Sequence, residues 1–234
     1  MLKRHMDNPD VVGINKAAVE VARRAFGDRE GFVLGDIGPF GGLMEPYGEI
    51  TRAEVDRAFA EQAGALVEAG ADAIIVETQT VLDEAGAAIA AAKAAGAPCV
   101  IASMAFDLTH ETRELRTMMG TDPDEAAAFL EAAGADVLGL NCGTNIDMAS
   151  AKAAVKRYRD CSGLPIMAQP NAGQPVLQNL KVIYNQTPDE MASQADDMFL
   201  AGVDILGACC GSTPAHIAGL RDRLNHFIET KNIG

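Results

Sequence analysis

Three cysteines follow two hydrophobic segments of the sequence, at the point where each segment ends. Cys142 closes the segment 137–142, and Cys209 and Cys210 come directly after the segment 203–208. Both segments have the length and the apolar content of a buried strand. Because the carboxyl ends of parallel strands meet at one edge of a sheet, we expect the three thiols to share one rim.

Free thiols in this position have three interpretations. A cysteine is often only a small buried packing residue, and we adopt that view for Cys99 and Cys161, which lie at the amino ends of predicted strands. A redox dithiol is disfavoured for the other three, because adjacent cysteines form a strained disulfide and no Cys-x-x-Cys is present. The third interpretation is a zinc site, in which three thiolates leave the fourth tetrahedral position open.

The chemistry of such a site follows from its charge. Zinc with three thiolate ligands carries a net negative charge, so it generates hydroxide poorly. It still holds an added thiol as thiolate at neutral pH, because coordination deprotonates the thiol. An electron-rich thiolate is a good nucleophile toward an activated alkyl group. The three cysteines therefore predict S-alkylation, most simply methyl transfer.

The composition excludes several classes of protein. The 234 residues include 33 acidic and 19 basic side chains, which gives a formal charge of −14. An acidic surface repels nucleic acid and anionic lipid, and no apolar run reaches the length of a membrane span. Five cysteines, an odd number, argue against a disulfide scaffold and for a reducing compartment. We expect a cytoplasmic protein that binds neither nucleic acid nor membrane.

Predicted strands and helices alternate along the whole chain. The near-continuous apolar character of the strands is typical of a parallel sheet covered by helices. Thr51 and Glu54 predict a capping box at the second helix, and 105–121 is expected to be a loop. The predicted strands are 32–37, 73–77, 99–104, 137–142, 165–169 and 203–208. The predicted helices are 12–26, 51–69, 83–95, one that opens at 122, 147–159, 187–201 and 213–230.

A weak internal repeat supports a barrel. Similar Ala-Gly-Ala/Val-Asp segments at 69–72, 133–136 and 201–204 place their glycines 64 and 68 residues apart, about two βα units of roughly 30 residues each. The absence of a Gly-x-Gly-x-x-Gly turn disfavours the alternative, a doubly wound dinucleotide-binding sheet. A closed (β/α) barrel requires eight strands. Six are found here, so two lie outside this sequence or come from another chain.

Several motifs lie around the cysteines and at other strand ends. They are Gly207-Ala-Cys-Cys-Gly-Ser-Thr-Pro-Ala-His-Ile217, Gly139-Leu-Asn-Cys-Gly143, Ile37-Gly-Pro39, Glu45-Pro-Tyr-Gly48, Glu77-Thr78, Gly120-Thr-Asp122 and Gln169-Pro-Asn-Ala-Gly173. Together they resemble the homocysteine S-methyltransferase family, which includes the homocysteine-binding module of cobalamin-dependent methionine synthase and betaine–homocysteine methyltransferase. The resemblance implies one α/β domain over residues 1–234, a (β/α)8 TIM barrel with six βα units present. It also implies that Cys142, Cys209 and Cys210 bind Zn²⁺.

The resemblance extends to the substrate. Glu77 matches the family glutamate and is expected to bind the ammonium group of homocysteine, although it could instead be a rim carboxylate that pairs with an arginine. Asn141 and Asn171 are further candidates for substrate contact; alternatively Asn141 orients a metal ligand, and Asn171 makes an Asx turn. Family members open with two strands, the first carrying an Asp-Gly-(Ala/Gly)-x-Gly-Thr-like segment that helps hold the amino-acid end of homocysteine. Nothing in residues 1–30 matches either strand.

We therefore expect a zinc-dependent methyltransferase that acts on the thiol of homocysteine or a related small thiol, in methionine biosynthesis. A corrinoid or methylfolate donor would require a separate domain or subunit. Two alternatives remain open: a subunit of a corrinoid-linked, multi-component methyltransferase that another chain completes, and a non-catalytic zinc-binding derivative of the family. An uncovered barrel edge further predicts a homo-oligomer or a partner subunit.

Overall fold

The computed structural model of the protein describes residues 7, 9–109 and 111–231. The helices are α1 (Val11–Phe26), α2 (Arg52–Glu68), α3 (Leu82–Ala94), α4 (Pro123–Ala132), α5 (Met148–Cys161), α6 (Pro188–Ala192), α7 (Ala195–Ala201) and α8 (Pro214–Lys231). The strands are β1 (Leu34–Ile37), β2 (Ala73–Gln79), β3 (Val100–Met104), β4 (Asp107–Leu108), β5 (Leu115–Arg116), β6 (Val137–Asn141), β7 (Ile166–Gln169), β8 (Pro175–Gln178), β9 (Lys181–Tyr184) and β10 (Ile205–Leu206).

Six of these strands form one parallel sheet in chain order, β1-β2-β3-β6-β7-β10. Helices connect the successive strands, as a parallel sheet requires. Small side chains let the helices pack closely: Ala85, Ala88 and Ala92 of α3 recur at helical spacing and are fully buried. The predicted α/β class and parallel sheet are confirmed.

The two faces of the sheet bury different clusters. One face packs against the helices through the main core, which includes Val76, Leu138 and Ile166. The other face carries a smaller buried cluster formed by Ile75, Ile101, Val137 and Met167, with Cys99 packed against it. We call this second face the inner face, because in a barrel it is the one that faces the axis.

The sheet is open on one side. Within the described ranges, β1 pairs only with β2 and β10 pairs only with β7, so each leaves one edge without a partner strand. Apolar side chains are exposed on both edge strands, with Leu34 at 37% and Ile205 at 41%. Strand edges and apolar side chains that would be buried in a closed barrel are therefore accessible to solvent.

Two hairpins were not predicted. Part of the predicted loop 105–121 forms the antiparallel pair β4–β5, and β8–β9 extends from the region after β7. The β8–β9 turn holds Asn179 and Leu180, both with positive φ (49° and 62°). Two-residue turns of this kind normally carry glycine at the second position. Because leucine occupies that position here, the sequence gives no signal for the hairpin.

Two further predictions are corrected. The predicted helix 187–201 is interrupted between α6 and α7, because the side chains of Ser193 and Gln194 both hydrogen-bond to the carbonyl oxygen of Glu190 (2.8 and 3.1 Å). Cys161 was predicted to be buried, but it ends α5 and is exposed.

Other local predictions are confirmed. Thr51 and Glu54 form the reciprocal capping box at the start of α2. Among the residues that the structure describes, no helix combines the length and apolarity needed to cross a membrane.

Candidate functional site

The two cysteine-bearing loops lie side by side at the carboxyl end of the sheet. Cys142 directly follows β6, and its N–H donates to the carbonyl oxygen of Gln169 (3.2 Å). The N–H of Cys209 donates to the carbonyl oxygen of Pro170 (2.8 Å). Both loops are thus attached to the end of β7, the strand that lies between β6 and β10.

The three sulfur atoms form a compact group. All lie within 4.8 Å of one another, with Cys142 Sγ 3.6 Å and Cys209 Sγ 4.0 Å from Cys210 Sγ. Three sulfurs bound tetrahedrally at about 2.3 Å from one zinc ion would be separated by about 3.8 Å. The donor set and its spacing therefore fit a single zinc ion. Cys210 is exposed whereas Cys142 and Cys209 are partly buried, so the group is open toward solvent.

Hydrogen bonding between the thiols makes them unequal. A hydrogen bond with Cys209 lowers the pKa of the Cys142 thiol, and burial opposes this effect. The same hydrogen bond, together with burial, raises the pKa of Cys209 well above its ordinary value. Without metal, Cys142 is therefore the sulfur that ionises more readily of these two.

Glycines allow other groups to approach the cysteine loops. Cys142 has a positive φ of 53°, and Gly143, at 82°, packs against the carbonyl oxygen of Phe106 so closely that a side chain there would clash. Gly211 has a φ of 79°, and it lies so close to the ring of Tyr184 that a side chain there would clash. Each glycine next to a cysteine thus permits a contact that a Cβ atom would prevent.

Asn171 joins the two loops. Its Nδ2 donates to the carbonyl oxygen of Gly143 (3.0 Å), and its Oδ1 accepts from the N–H of Cys210 (3.1 Å). The side chain is buried, with 4% exposed. The structure therefore places Asn171 between the backbones of the two cysteine loops.

Asn141 lies behind the sulfur atoms and is fully occupied by protein groups. Its Oδ1 accepts from the Thr78 N–H (3.1 Å) and the Ser103 hydroxyl (2.7 Å), while Nδ2 donates to Thr78 Oγ1 (2.8 Å) and approaches Cys209 Sγ (3.9 Å). Thr78 has a positive φ of 57°, a rare conformation for a β-branched residue. Asn141 thus links the ends of β2, β3 and β6 to one sulfur.

Two carboxyl groups lie on the inner face of the sheet. Asp36 pairs in register with Ile75, and Glu77 follows Ile75 by two residues, so both side chains share the face that carries the small buried cluster. Burial, followed by the charge of Asp36, raises the pKa of Glu77, and a hydrogen bond with Gln169 lowers it. Partial burial also raises the pKa of Asp36, although the residue is solvent-exposed.

Gln169 adds an acceptor to the same region. Among the described residues, no group hydrogen-bonds to its Oε1 atom, although that atom is buried. Gln169 pairs in register with Asn141 at the end of the sheet that carries the cysteines. The inner face therefore presents two carboxylates and an unpaired amide oxygen near the cysteine rim.

The β8–β9 hairpin contributes Tyr184 to the site. Burial, followed by an interaction with the Cys210 thiol, raises the pKa of its hydroxyl group. The base of the hairpin is fixed, because the Gln186 N–H donates to the carbonyl oxygen of Ala172 (3.1 Å) and His216 Nε2 lies 3.0 Å from the Gln186 carbonyl oxygen. His216 Nδ1 accepts from the Thr213 N–H, so the proton resides on Nε2.

Sequence reasoning missed Asp36 and Tyr184. Strand alternation gave a signal for Asp36, since it lies one residue before the end of β1, but its face became clear only from the register with β2. Tyr184 gave no comparable signal, because the hairpin that carries it was not predicted.

Comparison with known proteins places the chain among enzymes with related sequences. A profile of the family described as homocysteine S-methyltransferase matches residues 1–224. The chain is 34% identical over 194 residues to methionine synthase of Mycobacterium tuberculosis, which covers 81% of this chain and 16% of that protein. It is 27% identical over 234 residues to betaine–homocysteine S-methyltransferase 1 of Danio rerio, which covers 91% and 54%. The chain thus spans about a sixth and about half of these relatives.

Solved structures support the same fold. The apo form of the homocysteine methyltransferase MmuM from Escherichia coli superposes with a TM-score of 0.72 at 24% identity and covers 93% of this chain and 77% of that one. Its metallated form gives a TM-score of 0.68 at 25% identity, with coverage of 94% and 74%. The predicted TIM-barrel fold is confirmed, with six of its strands in the described part of the chain.

Proposed function

The chain belongs to the homocysteine S-methyltransferase family, and from this premise we propose that it transfers a methyl group to the thiol of homocysteine or a related small thiol. The single observation that carries the proposal is the group of three sulfur atoms, spaced as ligands of one zinc ion and open on one side. Zinc bound there supplies the Lewis acidity that keeps an added thiol deprotonated at neutral pH.

We propose that Cys142, Cys209 and Cys210 hold the metal and that Asn171 and Asn141 position them. Asn171 sets the separation of the two loops through its bonds to Gly143 and Cys210. Asn141 leaves no polar atom for a substrate, because each is used by a protein partner. The sequence makes both asparagines candidates for substrate contact, and these geometries favour a positioning role for each.

The amino-acid end of the substrate is assigned to the inner face. Glu77 and Asp36 supply negative charge for an ammonium group, and Gln169 Oε1 supplies a further acceptor. An ammonium group has three N–H donors, which matches this number of acceptor side chains. The repulsion between the two carboxylates is relieved when a cation lies between them. An added amino thiol is therefore bound by its two ends, sulfur at the rim and ammonium on the inner face.

The methyl donor is assigned to a separate component. A corrinoid or methylfolate on another domain or subunit is consistent with relatives of which this chain spans only a part. Two other functions remain as alternatives: one subunit of a multi-component methyltransferase, and a zinc-binding protein of the family without catalysis. For each of these functions, free thiols favour a cytoplasmic location.

We also propose that another polypeptide covers the open side of the sheet, in the simplest case a second copy of this chain. Among the described strands, β1 and β10 each have one edge without a partner, and Leu34 and Ile205 are exposed on these strands. Sedimentation of the wild type and of Ile205→Lys measures this. Concentration-dependent association that the substitution weakens supports the proposal, and a monodisperse monomer at all concentrations contradicts it.

Metal content and thiol binding test the function. We expect one zinc ion per chain, and near zero in Cys210→Ala, whereas Cys161→Ala, the exposed cysteine of α5, keeps the full content. Homocysteine added to the zinc protein should release about one proton and change the zinc–sulfur coordination seen by X-ray absorption. Zinc without any homocysteine response would favour the non-catalytic alternative, and absence of zinc would reject the proposal.

A further inference from the structure

A second candidate binding region lies between the β4–β5 hairpin and α5. A cavity of about 390 Å³ opens there, within the size range of small-molecule sites. Its walls include the apolar residues Leu108 and Leu115 and three arginines, Arg113, Arg116 and Arg157. None of the three clustered cysteines lines it, so its contents would not contact the metal site.

The charge of this cavity differs from that of the rest of the chain. Three guanidinium groups line it against one carboxylate, that of Glu114, whereas the whole chain has a net charge of −14. Glu114 lies 3.6 Å from Arg116 Nε, a distant pairing. The lining thus carries more cationic than anionic side chains, which attracts anions, and the carboxylates that offset two of the arginines lie outside the lining.

Two of the arginines are fixed by carboxylates that do not line the cavity. Arg157 Nε lies 2.7 Å from Asp124 Oδ1, and Arg157 Nη2 lies 3.2 Å from Asp122 Oδ1. Arg116 Nη1 lies 3.1 Å from Asp122 Oδ2. These ion pairs hold both guanidinium groups in defined positions, which lowers the conformational cost of binding a ligand.

Arg113 supplies the free charge. No carboxylate of the described residues lies within ion-pair distance of its guanidinium, whereas its backbone is fixed in a tight loop. The Arg113 N–H donates to the carbonyl oxygen of Thr109 (3.1 Å), and the Glu114 N–H donates to Thr109 Oγ1 (2.9 Å). The cavity is therefore lined by one guanidinium group without a carboxylate partner among the described residues and by two that ion pairs orient.

We propose that this cavity binds an oxyanion group, a carboxylate or a phosphate, carried by a small organic molecule. Guanidinium groups recognise both groups through paired N–H donors. Leu108 and Leu115 offer apolar surface for the carbon skeleton of such a molecule. The proposal is independent of methyl transfer, because it uses none of the residues assigned to that reaction.

Calorimetric titration of the intact protein with sodium phosphate and with sodium succinate, at low and constant ionic strength, tests the site. We expect saturable binding of at least one anion. Arg113→Gln should weaken that binding at least tenfold, whereas Arg24→Gln, the same charge change at an exposed position on α1, should change it less than twofold. Binding of phosphate alone assigns a phosphate ligand, and binding of succinate alone assigns a carboxylate.

A second pair of variants guards against a folding defect. Ala153→Glu places a negative charge on the cavity wall and should abolish binding, whereas Ala149→Glu, exposed in the first turn of α5, should retain it. Unfolding temperatures of all variants are measured alongside. No saturable binding of either anion, or equal losses in each variant and its control, would overturn the proposal.

Discussion

The buried side chain of Asn171 accepts a hydrogen bond from the backbone N–H of Cys210 at 3.1 Å. Its amide nitrogen donates at the same time to the loop that follows Cys142, through the carbonyl oxygen of Gly143. A single side chain therefore hydrogen-bonds to both cysteine loops, whose residues Cys142 and Cys210 are 68 positions apart in sequence.

Asn171→Ala should weaken zinc binding about 10- to 100-fold, the usual effect of removing a group that orients metal ligands. The expected cause is a wider and less constant separation of Cys142 Sγ from Cys210 Sγ. Competition with a chromophoric chelator measures the affinity, and Asn225→Ala, at an exposed position on α8, is the control. Equal zinc affinity in the Asn171 variant and the control would show that the cysteine loops hold their spacing without this side chain.

Glu77→Gln should weaken homocysteine binding at least tenfold and leave the zinc content unchanged. The reason is that we assign the carboxylate to the ammonium group of the substrate and the metal to the cysteines. Binding of 4-mercaptobutanoate, which lacks the amino group, should change less than twofold. If both thiols lose affinity equally, Glu77 acts on the fold of the site and not on the ammonium group.

Glu77 also predicts a pH dependence of stability. Its pKa is raised above 4.5 in the folded protein, mainly by burial, so the ionised group disfavours folding. This unfavourable contribution is absent below pH 4.5, grows as the pH rises through the raised pKa, and is complete above it. Glu77→Gln should therefore raise the unfolding temperature at pH 7 and have little effect at pH 4.

Thermal unfolding at both pH values measures this difference. Glu20→Gln, an exposed position on α1, is the matched control and should show no such dependence. A Glu77→Gln protein less stable than wild type at pH 7 would mean that hydrogen bonds to the carboxylate outweigh the effect of burial.

Thr51→Ala should destabilise the fold by about 1 kcal/mol, the typical effect of losing an N-cap side chain. Thr51 Oγ1 accepts from the Glu54 N–H (3.3 Å), and Glu54 Oε2 accepts from the Thr51 N–H (2.9 Å). Urea denaturation measures the change, and Thr51→Ser should retain most of the stability. A similar loss in both variants would assign the effect to the threonine methyl group.

Local sequence rules predicted the features that depend on neighbouring residues. The Thr51 cap, the six parallel strands and the position of the cysteines after strand ends all follow from short segments. Features that depend on pairing between segments were harder to predict. The proximity of Asp36 to Glu77, for example, depends on the register of β1 with β2, which the sequence does not specify.

Two misses have specific physical causes. Leu180 adopts a left-handed conformation that leucine rarely takes. The sequence therefore did not predict the β8–β9 turn or the position of Tyr184. The prediction that Cys161 is buried came from its residue type and from its position before a predicted strand. It is exposed because α5 continues to this residue and ends at the surface.

The residues that we assign to the substrate ammonium group and those that we assign to zinc lie mostly in different parts of the sequence. Strands β1 and β2 carry Asp36 and Glu77, whereas the three sulfurs that we propose as zinc ligands come from the loops after β6 and β10. Replacing the first third of the chain with that of a distant relative should thus change which small molecule binds, whereas zinc affinity should stay the same. A change of substrate preference in such a chimera would then require no change in the residues that we propose to hold zinc.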